Sequence, residues 1–338
     1  MTMGFVERQA QSLADILSKT QEISRLWSPA GPEPQEMWFR GQSRRKYKLL
    51  PGLYRPSNAP FHYDEESLFE RFRIRGTPFV TRTVKSDWDW YVLAQHHRLV
   101  TRLLDWTTNL LAACYFALSK SLRTEDRRDH DLAVRRPLDD PVYDDDSPVV
   151  WILEAGSLNA FACNDISEDY VICPGGDVTK KYLPSEIAGS ECEDNRYPLA
   201  INPSHSNSRI AAQRGVFTVH GHDKTPIDEL VDTVGRIPIK LARIVIDRAN
   251  CHKLWDELER TGVDQLSMFP ELDSVAHQTN WAGQYAKADE EGGGSDGEAE
   301  DDARQEEVGG ETRQEEVGGE TRQEEVTPRH AKVDPAGS

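Results

Sequence analysis

The segment from residue 91 to residue 107 constrains the fold of this chain more than any other. Its sequence, YVLAQHHRLVTRLLDWT, interleaves two histidines, two arginines, a glutamine and an aspartate with leucines and valines. The spacing of the apolar residues predicts a helix over 90–94 that ends near His97, a short buried strand over 99–104 and a second helix over 110–118. A helix–strand–helix unit with polar residues at its joints is typical of a segment that lines a cleft.

Strands and helices alternate irregularly along the rest of the chain. A parallel strand–helix–strand repeat is not evident, so the pattern favours the α+β class, with a single mixed sheet and flanking helices. Residues 157–200 have weak periodicity and are rich in acidic residues, glycine and proline, which indicates a long excursion with short helices, of the kind that forms a lid. The other predicted elements are strands over 37–41, 149–153 and 237–246, a loop and strand over 208–219, and helices over 5–27, 64–75 and 250–260.

The C-terminal segment differs in composition from the rest. Between positions 288 and 338 there are 17 acidic and 5 basic residues, which account for −12 of the net charge of −18. A nine-residue unit, RQEEVGGET, begins at Arg304 and at Arg313, and a partial copy begins at Arg322. Because one valine per copy cannot build a core, we predict a disordered acidic tail over 287–338. The preceding residues are expected to form an N-terminal helix over 1–35 and one α+β domain over 36–286.

The cysteines and the hydropathy of the chain bear on its environment. The five cysteines form no CxxC pair and have no histidine at metal-ligand spacing, so no metal site is predicted. An odd number of cysteines in a long chain is typical of a reducing compartment rather than of a disulfide framework. No apolar run approaches the length of a membrane span, and the mean hydropathy is −0.66. We therefore expect a cytoplasmic protein that does not enter a membrane.

Basic residues beside aromatic ones mark a second candidate region. Arg40 follows Trp38 and Phe39 on a predicted strand, where an arginine is costly to desolvate unless it faces a cleft or an anion. The alternative is a surface or ion-paired arginine. Gly41 has no side chain and lets a ligand or another backbone come close. The stretch over 43–57 interleaves five basic residues with two tyrosines, which is typical either of a surface that binds phosphates and bases or of a solvated loop.

Several motifs resemble those of FRG-domain proteins, a family named for a Phe-Arg-Gly signature. The signature lies at 39–41, within WFRGQS. Gln95 and His96, followed by TRLLDWT over 101–107, resemble the central motif of that family. Further similarity lies in LPGLYR over 50–55, in an Arg-Ile pair followed by Gln, Gly and Phe over 209–217, and in a Phe-Pro-acidic-Leu segment over 269–272.

The resemblance implies a fold like that of the ADP-ribosyltransferases, with NAD as the bound dinucleotide. In that superfamily an arginine or histidine on the first strand holds NAD, a role that Arg40 would take here. The residues that the resemblance places around NAD are Arg40, Gly41, Gln95, Thr101 and Arg102. The residues that it places at the reacting bond are Asp105, His96 and Gln213.

Gly215 is where the similarity to transferases breaks. Many transferases have a glutamate two residues beyond their Gln or Glu, whereas Gly215 stands two residues after Gln213. Because cleavage of the nicotinamide glycosidic bond develops positive charge on the ribose, a carboxylate has to come from elsewhere. Asp105 is the candidate for this carboxylate, and His96 or His97 is the candidate for proton transfer to an acceptor. The alternative for Asp105 is a buried partner of Arg102.

Two functions from different classes follow from these residues. In the first, an NAD-consuming enzyme transfers ADP-ribose to a macromolecular acceptor, as a toxin or phage-defence effector with an antitoxin-type protein partner. In the second, the same cleft binds a nucleotide or a nucleic acid without chemistry, as a sensor or regulatory module. The second function needs only Arg40, Arg102 and the basic stretch over 43–57. The sequence has no P-loop, G-x-S-x-G or H-E-x-x-H motif, so a hydrolase of those classes is not expected.

Overall fold

A computed structural model describes most of the chain before residue 280. The described residues are 5–28, 36–61, 63–80, 84–125, 141–166, 169–187, 192–203, 208–276 and 278–279. The chain divides into a unit of residues 1–286 and a unit of residues 287–338. The second unit, which contains the predicted acidic tail, lies outside the described residues.

Among the described residues, seven strands form one mixed sheet with flanking helices, which confirms the predicted α+β class. The strands are β1 (Val6–Ala10), β2 (Met37–Gln42), β3 (Leu103–Thr107), β4 (Val149–Glu154), β5 (Leu199–Ile201), β6 (Gly215–Val219) and β7 (Leu241–Ile246). They lie in the order β1-β7-β4-β2-β3-β6-β5. Strands β1 and β7 are parallel, and the other neighbouring pairs are antiparallel.

The described helices connect these strands and cover the sheet. The α-helices are α1 (Leu13–Trp27), α2 (Glu65–Gly76), α3 (Asp87–His96), α4 (Leu110–Glu125), α5 (Ala155–Cys163), α6 (Asp177–Lys180), α7 (Pro184–Ile187), α8 (Ser208–Ala212), α9 (Ile227–Leu230), α10 (Cys251–Arg260) and α11 (Gln265–Met268). Short 3-10 helices span Gly52–Tyr54, Pro56–Phe61, Thr77–Phe79, Glu193–Asn195 and Arg248–Asn250. In the part of the chain that the structure describes, no helix has both the length and the apolar character needed to cross a bilayer.

The sheet consists of two well-paired halves that meet at one point. Strand β2 pairs with β4 over six residues, and β3 pairs with β6 over five. Within the described strands, by contrast, Phe39 and Thr107 are the single pair in register between β2 and β3. At the next positions along these strands, Gly41 and Asp105, ladder pairing has ended. Beyond Phe39 and Thr107, these two neighbouring strands are therefore not joined by a backbone ladder.

Apolar side chains cover both faces of the sheet because successive residues of a strand point to opposite faces. Trp38 and Trp151 belong to one buried cluster, and Phe39 belongs to the other, which includes α4. Gly41 also faces α4, since a Cβ atom there would lie 2.0 Å from the carbonyl oxygen of Ala113. Of the two roles foreseen for Gly41, the structure therefore shows close approach of another backbone. The predicted contact of Gly41 with NAD stays a prediction, and α4 already fills the space on the side where a Cβ atom would stand.

Three predicted elements differ from the structure. Residues 6–10, expected at the start of a helix, form β1 because they pair with β7 over five residues, and α1 begins after a cap at Ser12. The strand expected over 99–104 begins later, at Leu103, because the preceding residues close α3. The excursion over 157–200 is no simple lid, since α5 is almost wholly buried and β5 is an edge strand of the sheet.

Candidate functional site

The C-terminal end of α3 sets the position of the candidate site. The hydroxyl of Ser86 caps the start of this helix by accepting from the Asp89 N–H. At the other end, the Leu99 N–H donates to the Ala94 carbonyl at 3.0 Å, and the Arg98 N–H donates to the Gln95 carbonyl at 2.9 Å. This pair of hydrogen bonds is a Schellman motif, and it places Arg98 in the left-handed region with φ of 66°. The chain thereby reverses directly after Gln95 and His96.

A chain of hydrogen bonds then holds the Asp105 carboxylate. The Leu103 N–H donates to the Thr101 hydroxyl at 3.1 Å, so this hydroxyl donates its own hydrogen to Gln95 Oε1 at 2.6 Å. The Gln95 amide is thereby oriented, and its Nε2 donates to Asp105 Oδ2 at 3.0 Å. Asp105 itself is exposed on β3 between buried neighbours. The predicted residues Gln95, Thr101 and Asp105 thus lie together and present one oriented carboxylate to solvent.

Arg40 reaches the same residue from β2, the neighbouring strand in the sheet. Its Nη1 donates to the Asp105 carbonyl oxygen at 2.5 Å. Its Nε is buried and has no partner among the described residues. Burial lowers the pKa of Arg40 to about 10, although the charge of Asp105 acts in the opposite direction, and the charge of Arg55 makes a smaller contribution to the lowering. Arg40 therefore stays charged at neutral pH and retains an unused donor beside Asp105.

His96 stands in the same electrostatic neighbourhood. Burial lowers the pKa of this half-buried imidazole, and the charges of Arg209 and His97 lower it further. Glu271 and Asp105 act in the opposite direction. Since the ordinary pKa of histidine is 6.5, His96 is mainly neutral at pH 7 and is able to accept a proton.

Arg209 joins two more of the sequence motifs to this site. Its guanidinium lies 4.4 Å from the centre of the Phe269 ring, a cation–π contact. Burial lowers the pKa of Arg209, and Arg98 lowers it further, whereas Glu271 and Asp105 raise it. Four segments that are distant in sequence, at residues 40, 95–105, 209 and 269, therefore converge at one site.

Comparison with known families covers the N-terminal part of this site. The family model of the FRG domain matches residues 35–126. The chain carries an FRG domain. The matched residues run from the start of β2 to the end of α4 and include Arg40, Gln95 and Asp105, whereas Arg209 lies beyond them. Neither the comparison with curated proteins nor the comparison with solved structures finds a match.

Arg102 of the FRG domain does not belong to this surface. Its side chain is 2% exposed, and its Nε donates to the Glu65 carboxylate. Nη1 and Nη2 donate to the backbone carbonyls of His220 and Tyr182. The predicted contact of Arg102 with NAD is therefore wrong, since a ligand would have to open the core to reach it. The alternative partnership with Asp105 is also wrong, because Glu65 is the carboxylate that Arg102 binds.

Gln213, the third predicted catalytic residue, makes a structural contact. Its Nε2 donates to the Met268 carbonyl at 3.0 Å, which ties the end of α8 to α11. Gly215 begins β6 directly after this turn and pairs with Thr107. Since Asp105 pairs with Phe217 two residues on, position 215 and Asp105 share one face of the sheet. A longer side chain at position 215 would therefore point to the same side as Asp105.

The basic stretch over 43–57 is largely neutralised inside the molecule. Four of its five basic residues form ion pairs with carboxylates: Arg44 and Lys46 with Asp146, Arg45 with Glu7, and Lys48 with Asp228 and Glu229. Arg55 differs, because its Nε donates to the Leu50 carbonyl and its charge acts on Arg40. These ion pairs favour the interpretation of a solvated loop over that of a nucleic-acid surface.

Sequence reasoning did not assign a site role to Arg98, Arg209 or Phe269. Arg209 and Phe269 lie inside two of the motifs that resemble the FRG family, so those motifs could have indicated a site role for them. Arg98 has a left-handed backbone, a conformation in which glycine is the common residue, and the sequence alone does not show it. Glu65 gave no signal, because nothing in the sequence relates it to Arg102.

Proposed function

We propose that this FRG domain binds an NAD-type dinucleotide and transfers its ADP-ribose group to a macromolecular acceptor. The observation that carries the proposal is the position of Asp105. It is an exposed, oriented carboxylate on the same face as position 215, where many transferases hold their glutamate. Diagonal neighbours across an antiparallel pair are about 7–8 Å apart, within reach of a longer side chain. Gly215 has no carboxylate, and Asp105 therefore supplies one close to that position.

The charges around Asp105 fit a dinucleotide. Arg55 acts on Arg40, Arg98 acts on Arg209, and Asp105 lies within the electrostatic range of both Arg40 and Arg209. Four arginines and two carboxylates, Asp105 and Glu271, thus act on one another through their charges, and the excess of positive charge favours a ligand with phosphate groups. The unused Nε of Arg40 fits such a ligand too, because a buried donor without a partner is costly until a ligand accepts from it.

Each residue at the site has a distinct role in the proposed reaction. The dinucleotide supplies a glycosidic bond whose cleavage releases nicotinamide and leaves positive charge on the ribose. The Asp105 carboxylate, held by Gln95, stabilises that charge. Neutral His96 takes the proton that the acceptor's nucleophilic atom loses as it bonds to the ribose carbon. Arg40 holds the β3 backbone and binds an anionic group of the ligand through its remaining donors.

Release of nicotinamide by the purified full-length chain, with cell lysate as the source of acceptors, tests the proposal. We expect Asp105→Asn to lower the rate by about 100-fold, as loss of one transition-state contact does. Asp256→Asn, a change of the same chemistry at an exposed position of α10, is the matched control and should keep the wild-type rate. A wild-type chain that releases no nicotinamide, or an Asp105→Asn chain at the wild-type rate, would contradict the proposal.

One observation favours a second function, the binding of a nucleotide without chemistry. Position 215 has no carboxylate, and the cluster of arginines is sufficient to hold phosphate groups. Under this alternative the chain binds ADP-ribose and NAD with similar affinity and releases no nicotinamide. The ion pairs of the stretch over 43–57 make a small nucleotide a better candidate ligand here than a nucleic acid.

A further inference from the structure

Helix α2 continues beyond its last turn. Its C-cap residue, Thr77, still donates from its N–H and from its hydroxyl to the Arg73 carbonyl. The 3-10 helix over Thr77–Phe79 then closes with a hydrogen bond from the Val80 N–H to the Thr77 carbonyl. The two helices therefore form one rod over 65–79, and residues three, four or seven positions apart lie on one side of it.

One side of this rod is exposed and carries two large apolar side chains. Ile74 is 70% exposed and Phe79 is 84% exposed. Three further residues, Arg71, Arg75 and Pro78, are exposed as well, and helical spacing places them between the two apolar residues. We call these five residues the α2 face. Its arginines lie between an aliphatic and an aromatic side chain, so the α2 face is a mixed apolar and basic surface.

The segment that contains the α2 face is basic although the chain as a whole is acidic. Residues 71–85 include five basic residues and no acidic one, whereas the net charge of the chain is −18. Arg73 already pairs with two carboxylates. Arg71 and Arg75 have no carboxylate within ion-pair distance among the described residues. The charges of these two arginines are therefore available to an acidic partner.

The α2 face adjoins the candidate site through a row of aromatic rings. The centroids of the His96 and His97 rings lie 5.0 Å apart, and the His97 centroid lies 6.3 Å from that of Phe72. Phe72 precedes Phe79 by seven residues, which is about two turns along one side of the rod. A segment bound on the α2 face therefore lies beside the site that contains His96.

We propose that the α2 face docks an acidic segment of a partner protein, one that carries apolar side chains beside its carboxylates. The two guanidiniums pair with carboxylates, while Ile74 and Phe79 bury the apolar side chains of the segment. Nucleic acids are bound through several stacked aromatic rings, and the α2 face has one. A nucleic acid or an anionic membrane is also a larger polyanion, which the net negative charge of the chain repels.

The docking is independent of the transfer reaction. That the partner is the acceptor of ADP-ribose rests on the proposed function, whereas binding of an acidic segment to the α2 face does not. Binding is measured without NAD, so the two proposals can fail separately.

Fluorescence anisotropy of a labelled copolymer of glutamate and leucine, titrated with the full-length chain, tests the docking. Polyglutamate of the same length is the reference polymer, and we expect it to bind more weakly because it offers no apolar side chain. Phe79→Ser and Arg75→Glu should each weaken copolymer binding about tenfold or more, as loss of a central contact does. The matched controls are Val234→Ser, at a 97% exposed apolar position, and Arg260→Glu, at an exposed position of α10. Both should bind the copolymer as the wild type does.

Each outcome of these titrations decides the proposal. The docking is overturned if the wild type does not bind the copolymer, if polyglutamate binds as tightly, or if the variants of the α2 face lose no more affinity than the controls. Binding of single-stranded RNA or of phosphatidylserine vesicles that depends on Phe79, without copolymer binding, also overturns it. If copolymer binding depends on Phe79 and the chain releases no nicotinamide, the docking stands and the transferase proposal fails. If nicotinamide is released and no copolymer binds, the transferase proposal stands alone.

Discussion

Arg102 and Arg40 both donate to backbone carbonyl groups, yet their surroundings differ. Arg102 is 2% exposed, and the Glu65 carboxylate and two backbone carbonyls use its donors. Arg40 has a buried Nε without a partner among the described residues, and it stands beside the exposed carboxylate of Asp105. The first arginine is part of a completed network, and the second has binding capacity left over.

The same contrast extends to charge and backbone. Around Arg102 one carboxylate balances one guanidinium inside the core. Around Asp105 several arginines repel one another, and Arg98 has a left-handed backbone that favours glycine. Proteins break local rules of this kind mainly at functional sites. The difference therefore distinguishes arginines that stabilise the fold from arginines that are available to a ligand, although Arg98 and Arg102 fall in one segment of sequence.

The largest effect is expected where the completed network loses its carboxylate. Glu65→Ala leaves Arg102 charged and buried without its partner, which costs about 3–5 kcal/mol in the free energy of unfolding. Urea denaturation measures this loss. Glu66→Ala, one residue along the same helix and exposed, is the control and should change stability by about 0.5 kcal/mol or less. A loss below about 1 kcal/mol in Glu65→Ala would remove the distinction between the two clusters.

The next effect concerns the stability of the folded chain in acid, which depends on a histidine beside the same buried network. His220 is fully buried, both ring nitrogens lack partners among the described residues, and burial together with Arg102 lowers its pKa to about 3, against a weaker effect of Asp223. The unfolded chain therefore takes up a proton as the pH falls below 6.5 while the folded chain does not, until about pH 3. Stability from this residue is complete above pH 6.5 and decreases as the pH falls.

This dependence is checked by measuring the free energy of unfolding between pH 7 and pH 4, at pH values about one unit apart. We expect His220→Phe, which cannot titrate, to lose less stability on acidification than the wild type. Equal slopes in the wild type and His220→Phe would mean that other groups control the acid sensitivity.

The elements that sequence patterns predicted are those with local causes. Strand β2 and helices α2 and α4 follow from apolar spacing and from caps such as Asp64, which accepts from the Ser67 N–H. Strand β1 has a distant cause, since Val6 pairs with Ala242. A short strand next to a helix is predicted as part of that helix until the strand with which it pairs is known. The same limit hid the partnership of Glu65 with Arg102.

The candidate site divides in the same way. Gln95, Thr101 and Asp105 lie within eleven residues of one another, and a turn brings them together, so a local motif was enough to predict them. Arg102 lies in the same motif but points into the core, where the Glu65 carboxylate and two backbone carbonyls hold it. Every residue over 101–107 except Asp105 is buried, and no alternation in the sequence indicates which polar side chain faces solvent. The contact of Arg209 with Phe269 joins two distant motifs, and only the fold brings their side chains to Asp105.

The smallest effect sharpens the comparison most, because it should have the opposite sign. Arg98→Gly relieves a left-handed arginine but gives the unfolded chain more freedom, so we expect a net gain of about 0.5–1 kcal/mol in the free energy of unfolding. Arg214→Gly should gain a similar amount for the same reason. Thermal unfolding of both variants measures the gains. If Arg98→Gly is less stable than the wild type, its side chain supports the fold, and Arg98 then belongs with Arg102 rather than with the arginines available to a ligand.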